Sequence, residues 1–123
     1  LNDAGNLIDA ASLAALAALK SAVLPKLEDD VVKFGEFTKD KLPLEKLPVN
    51  CTVFKVFDKL IVDPVSEEEQ FVDARLSVSV GEKGVIHAMQ KGGDIGLSVD
   101  GVDEMVGIAI DKSKDLRKAL EKV

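Results

Sequence analysis

Val72-Asp73-Ala74-Arg75-Leu76-Ser77-Val78-Ser79-Val80 alternates apolar and polar residues along its whole length. In an extended chain this period of two puts Val72, Ala74, Leu76, Val78 and Val80 on one face, and Asp73, Arg75, Ser77 and Ser79 on the other. The stretch is therefore read as a strand with a buried side. Gly81 to Gly84 supplies the next turn and Val85 to Gln90 the returning strand. Upstream, Cys51 to Phe57 is rich in β-branched and aromatic residues, Asp58-Lys59 suits a two-residue turn, and Leu60 to Val62 completes a hairpin that Pro64 ends. Downstream, Ser98 is a good N-cap. Val99, Val102, Val106, Ala109, Leu116, Leu120 and Val123 then recur at helical spacing. Lys112, Lys114, Arg117, Lys118 and Lys122 crowd the last turns of this helix, where its dipole is negative.

Two further segments precede these strands. Asn6 or Asp9 can cap a helix running to about Val23, with Pro25 as its stop. Leu7, Ile8, Ala11, Ala14, Ala15, Ala18 and Ala22 form one face, while Leu13, Leu16 and Leu19 fall on others. A helix apolar nearly all round needs cover on more than one side, and the sheet supplies only one. Residues 26 to 50 are charged, contain Pro43 and Pro48, and lack sustained periodicity, so they read as a surface linker with one short strand. The order of helix, linker, strands and helix predicts an α+β fold with an antiparallel four-stranded sheet.

With 123 residues, 46% hydrophobic and 31% charged, the chain fits one globular core and neither a disordered nor a membrane class. No apolar run approaches the roughly 20 residues of a spanning helix, since Asp9 and Lys20 interrupt the richest stretch. Cys51 is the only cysteine, which excludes an internal disulfide and suits a reducing, cytoplasmic setting. The net charge of −6 and the absence of Trp and Tyr argue against nucleic-acid binding by this segment alone. Leu1 stands where a Met would begin a gene product, and the start reads as lying inside a longer protein.

Several phrases resemble the RNase PH family, in the wording of its inactive archaeal exosome subunit. They are Val62-Asp63-Pro64-Val65-Ser66-Glu67-Glu68-Glu69, Asp73-Ala74-Arg75-Leu76, Met89-Gln90-Lys91-Gly92-Gly93 and Lys112-Ser113-Lys114-Asp115-Leu116. The opening Asn2-Asp3-Ala4-Gly5-Asn6-Leu7-Ile8-Asp9-Ala10-Ala11 is similar to the entry into the last helix of that family's first lobe. The resemblance implies that residues 1–25 are that helix, 26–50 the linker and 51–123 the second lobe, with an N-terminal half missing. It also implies a hexameric ring for RNA degradation and processing, in which active and inactive RNase PH-like subunits alternate. Phosphate attacks RNA from its 3′ end within that ring. Expected partners are the active RNase PH-like subunit, the RNA-binding cap subunits, and RNA through the assembled ring.

The resemblance also identifies what this chain lacks. Active relatives carry a Gly-Gly-Thr/Ser-Arg turn that cradles phosphate, and the matching residues here are Ala4-Gly5-Asn6-Leu7. Leu7 has neither charge nor donor for a phosphate. Active relatives also place two acids six residues apart; here these are Asp63 and Glu69, the second longer by one methylene. No catalytic residue, metal or cofactor is therefore expected, and Leu7, Asp63 and Glu69 mark a degenerate site. The alternative is a residual metal-dependent phosphorolytic exoribonuclease using Asp63 and Glu69. Glu67, Glu68 and Glu69 read otherwise as a solvated acidic turn, Gly92 to Gly96 as a flexible turn, and His87 as a packed or edge histidine. Arg75 is expected to pair with an acid across a lobe or subunit boundary.

Overall fold

The alternating stretch forms the inner strand of a sheet with a different chemistry on each face. The computed structural model describes residues 3 to 122. Its elements are α1 (Leu7–Ser21), β1 (Val23–Glu28), β2 (Val31–Lys41), β3 (Val49–Val56), β4 (Lys59–Val62), α2 (Ser66–Glu69), β5 (Ala74–Val80), β6 (Ile86–Gly92) and α3 (Val99–Leu120). The main sheet has the order β4-β3-β5-β6. All its pairings are antiparallel. This is the expected α+β arrangement, with a four-stranded sheet and helices packed on it.

Register explains the two faces. Cys51 pairs with Val78, Val53 with Leu76 and Val49 with Val80, so apolar residues meet on one side. Cys51, Val53, Leu76, Val78 and Val80 pack there with Met105 and Ala109 of α3 into the buried core. Ser98 caps α3 as expected, its side chain accepting the Gly101 N–H at 3.1 Å. The stripe is centred on Met105, Ala109, Ser113 and Leu120, whereas Val99, expected within it, is 85% exposed. Val123, also placed in that stripe, lies outside the described residues, as does Asn2 of the opening motif.

Several local readings need correction. The turn between β3 and β4 is Phe57-Asp58, because Val56 pairs with Lys59, not Asp58-Lys59. Helix α1 ends at Ser21, where Ala22 turns extended at ψ 139°, so the chain leaves the helix before Pro25 is reached. The side of α1 facing the domain carries Asp9, Leu13, Leu16 and Lys20, while Leu7, Ile8 and the alanine face are mostly exposed. Lys20 anchors the far end by donating to the Leu120 carbonyl at 2.7 Å.

Residues 26 to 50 are not an irregular linker with one short strand. β1 and β2 pair antiparallel over most of the segment, and the start of β3 takes its end. Asp29 and Asp30 both have positive φ, 51° and 61°, which is the geometry of a type I′ hairpin turn. Two register irregularities interrupt the ladder, at Pro25 among others, which hides any clean alternation in the sequence. The hairpin is exposed on both sides, with Phe37 66% and Leu27 60% accessible. Among the described residues, no helix is long and apolar enough to cross a membrane.

Met105→Ala is expected to cost about 3 kcal/mol in urea unfolding, since it empties a fully buried position. Replacing residues 25 to 38 with a short Gly-Ser turn should change stability by only about 0.5 kcal/mol, because an exposed two-stranded hairpin adds little.

Candidate functional site

β4 pairs with β3 only from Val53 to Val56, which leaves the first half of β3 without a neighbour on that side. α1 takes the vacant place. Asp9, only 7% exposed, accepts the backbone N–H of Thr52 at 2.7 Å, the Thr52 hydroxyl at 2.7 Å and the Asn50 amide at 2.6 Å. Thr52 has one hydroxyl proton, already given to Asp9, so in the 2.8 Å contact between Thr52 and Ser77 the serine is the donor. Ser79 in turn donates to Asn50 Oδ1 at 3.1 Å. The polar face of the sheet is thus a hydrogen-bonded interior, not a solvated surface. Asp9, expected as a cap, is instead the acceptor that binds helix to sheet.

Three degenerate positions were expected, Leu7, Asp63 and Glu69, and two of them meet on one residue that was not. Asn6, 8% exposed, stands before α1 in the left-handed region, at φ 50° and ψ 40°. Its amide Nδ2 donates to Asp9 Oδ2 and to Asp63 Oδ1, each at 3.2 Å. Its backbone N–H donates to Glu69 Oε1 at 2.7 Å. Among the described residues, Asn6 Oδ1 is buried without a partner. Gly5 makes this approach feasible: at φ 115°, a Cβ here would stand 2.3 Å from the Pro64 carbonyl. The Ser66 N–H closes the junction on the Ala4 carbonyl at 3.0 Å. Leu7 is 58% exposed and takes no part in these contacts. The Gly5-Asn6 pair, both tolerant of positive φ, was the signal for the tight junction.

A cavity of about 280 Å³ lies beside the junction, lined by Asn6, Asp9, Cys51, Asp63, Lys112 and Asp115 among others. Burial, and then the negative charge of Asp9, push the Cys51 thiol up to about 12 from an ordinary 9.0. A thiol held protonated is a poor nucleophile. His87 lies elsewhere, exposed on β6 against Gly81, and lines a recess with Glu45 and Glu82. Among the described residues, no group of three or more His, Cys, Asp and Glu is arranged to hold a metal ion.

Most of the remaining candidates have structural partners. Glu68 accepts the Val65 N–H at 3.0 Å and so fixes the start of α2. Arg75 lies over Gly92, where a Cβ would stand 2.9 Å from its Cζ. In the 92 to 96 loop, the Ile95 N–H reaches back to the Asp73 carbonyl at 3.3 Å. Arg117 donates to the Leu47 and Val80 carbonyls, each at 2.9 Å. Lys114 and Lys118 pair with Asp111 and Asp115, also at 2.9 Å, and the Lys114 hydrogen bond holds the Asp111 carboxyl below its ordinary range. Much of the basic end of α3 is therefore already engaged.

Comparison with known proteins places these features in a family. The family described as 3′ exoribonuclease family, domain 2, matches residues 46–112. The exosome complex component Rrp42 of Methanothermobacter thermautotrophicus is 42% identical over 123 residues, covering 96% of this chain and 44% of that protein. The Pyrococcus furiosus component of the same name is 39% identical, covering 99% of this chain and 47% of its own length. Among solved structures, the Archaeoglobus fulgidus exosome with RNA bound to the active site superposes at TM-score 0.82 and 36% identity, over 97% of this chain and 45% of that one. An archaeal exosome core gives TM-score 0.84 at 36% identity, over 98% and 47%. The chain spans about half the length of the curated relatives it matches.

Asp9→Ala should destabilise the fold by about 3 kcal/mol in chemical denaturation, because it strands several buried donors at once. Cys51 adds a pH signature. Its folded pKa is raised, so the unfolded chain loses this proton first. Stability is then expected to fall as pH rises from about 9 towards 12. Cys51→Ala should remove a component of that slope approaching about 1.4 kcal/mol per pH unit, measured by denaturation at stepped pH.

Proposed function

The chain belongs to the 3′ exoribonuclease family through that family's second domain, and we propose that it acts as a non-catalytic structural subunit of an exosome ring. In this reading residues 1–25 end a first lobe, 26–50 connect the lobes, and 51–123 are the second lobe. The exposed apolar side of α1, with Leu7 58% and Ile8 47% accessible, supports cover by a preceding lobe. The subunit pairs with an active RNase PH-like subunit in a hexameric ring, RNA-binding cap subunits sit on the ring, and RNA is degraded from its 3′ end inside it. A cytoplasmic location follows from that role, and the buried free thiol of Cys51 is consistent with it.

One observation supports the non-catalytic reading. The N–H of Asn6, at the start of α1, would be available to an attacking phosphate, and it is already bound to the Glu69 carboxylate at 2.7 Å. Asp9 and Asp63 flank the same residue through its amide. A phosphate would meet three carboxylates there, with Lys112 the one cation lining the adjoining cavity. Asp63 and Glu69 are also poorly placed as a residual metal-dependent pair, since each has a donor on Asn6.

The test is phosphorolysis of a labelled RNA by the chain and by its full-length form, with inorganic phosphate and with magnesium or manganese. No nucleoside diphosphate above background is expected. Phosphate-dependent release that vanishes on Asp63→Ala would overturn the reading and establish the residual enzyme. Mixed with the active subunit, the full-length protein should elute as a larger assembly that does degrade the RNA.

A further inference from the structure

The β3–β4 turn presents an aromatic residue in a conformation that suits it badly. Phe57 sits at φ 52°, a region that bulky side chains rarely adopt and that this kind of turn normally gives to Gly, Asn or Asp. Its backbone is held from both ends: the N–H donates to Asp73 Oδ2 at 2.8 Å, and the carbonyl accepts from Lys55 Nζ at 2.7 Å. Burial does not compensate, because Phe57 is 69% exposed. Strain fixed by its surroundings, with no packing gain, points to a role in presenting the ring.

A second exposed aromatic lies beside it. Phe71, just beyond α2, is 60% exposed. Phe57 and Phe71 line one open groove of about 450 Å³ with Val56 and Ile61, and Asp58 and Glu68 stand at its rim. Lys59 is paired with Asp58 at 3.2 Å, so the rim keeps a net negative charge.

We propose that this groove docks a protein segment that inserts an aliphatic or aromatic side chain between Phe57 and Phe71 and flanks it with Lys or Arg. Charge complementarity selects that occupant. A second copy of this chain, with its net charge of −6, and an RNA strand would both bring like charge to the rim. The inference stands independently of the ring assignment, because it rests on the turn, the two rings and the rim alone.

The probe is a short fluorescein-labelled peptide with a central Leu or Phe flanked by Lys, titrated into the full-length protein at low salt. Matched peptides carry Glu flanks, or Lys flanks without the apolar centre. Saturable binding of the Lys-flanked apolar peptide alone is expected. Phe71→Ala should weaken it about tenfold. Phe57→Gly should weaken it comparably while the thermal midpoint holds or rises, since glycine accepts positive φ without strain. Asp58→Lys should weaken it severalfold. Absence of saturable binding, equal binding of the matched peptides, or binding unchanged by Phe71→Ala and Phe57→Gly overturns the proposal. Tighter binding of oligoadenylate RNA, lost in Phe57→Gly, overturns it in favour of nucleic acid.

Discussion

The Asp9 carboxylate is the contact on which the rest of the arrangement depends. β4 is too short to pair with the first half of β3, and an unpaired buried N–H is costly. Asp9 satisfies that N–H at Thr52 from a helix, so α1 substitutes for the missing strand at the edge of the sheet. The same carboxylate takes the Thr52 hydroxyl and the Asn50 and Asn6 amides. A charge buried to this degree is tolerated only because each oxygen has more than one donor. Helix, sheet and the junction with the loop after β4 are thereby set by one side chain.

Charge distribution follows from this constraint. Acidic residues gather where α1 begins, while much of the basic end of α3 is engaged by carbonyls and neighbouring acids. An acceptor-rich interior suits amides and hydroxyls as partners and repels free anions. The raised pKa of Cys51 belongs to the same environment, since burial is its first cause and the Asp9 charge its second. Burial and the Asp9 charge thus act together against thiolate formation at Cys51.

Much of the main sheet was legible because its information is local. The alternation from Val72 to Val80 depends only on neighbours in the chain, and so do the α3 stripe and the Ser98 cap. Errors arose where the deciding partner lies far away in sequence. Asp9 looked like a cap because its real partners, Asn50 and Thr52, are 41 and 43 residues away. Ser77 and Ser79 were legible only as the polar face of their strand, for the same reason. The β1–β2 hairpin was missed because its register irregularities break the alternation that marks strands, although the Asp29-Asp30 turn was a usable signal. Of the candidate site, Asp63 and Glu69 could be named from the resemblance. Asn6, which connects them, was read as an ordinary cap; the Gly5-Asn6 pair signals a tight junction there, but its partners Asp63 and Glu69 lie far along the chain.

Asp63 is where sequence and geometry give different weight to one residue. Beside the altered Leu7 and Glu69, an unaltered acid invites the thought of residual chemistry. In the fold it has another occupation. It adopts φ 54°, a left-handed position that Asp tolerates better than most residues, directly before Pro64. From there its carboxylate accepts the Asn6 amide while Gly5 packs against the Pro64 carbonyl. Turn geometry and the hold on α1 therefore account for an aspartate at this position without any catalytic role. Glu69 completes the junction: from α2 its carboxylate reaches the Asn6 N–H at 2.7 Å, so both acids hold the start of α1.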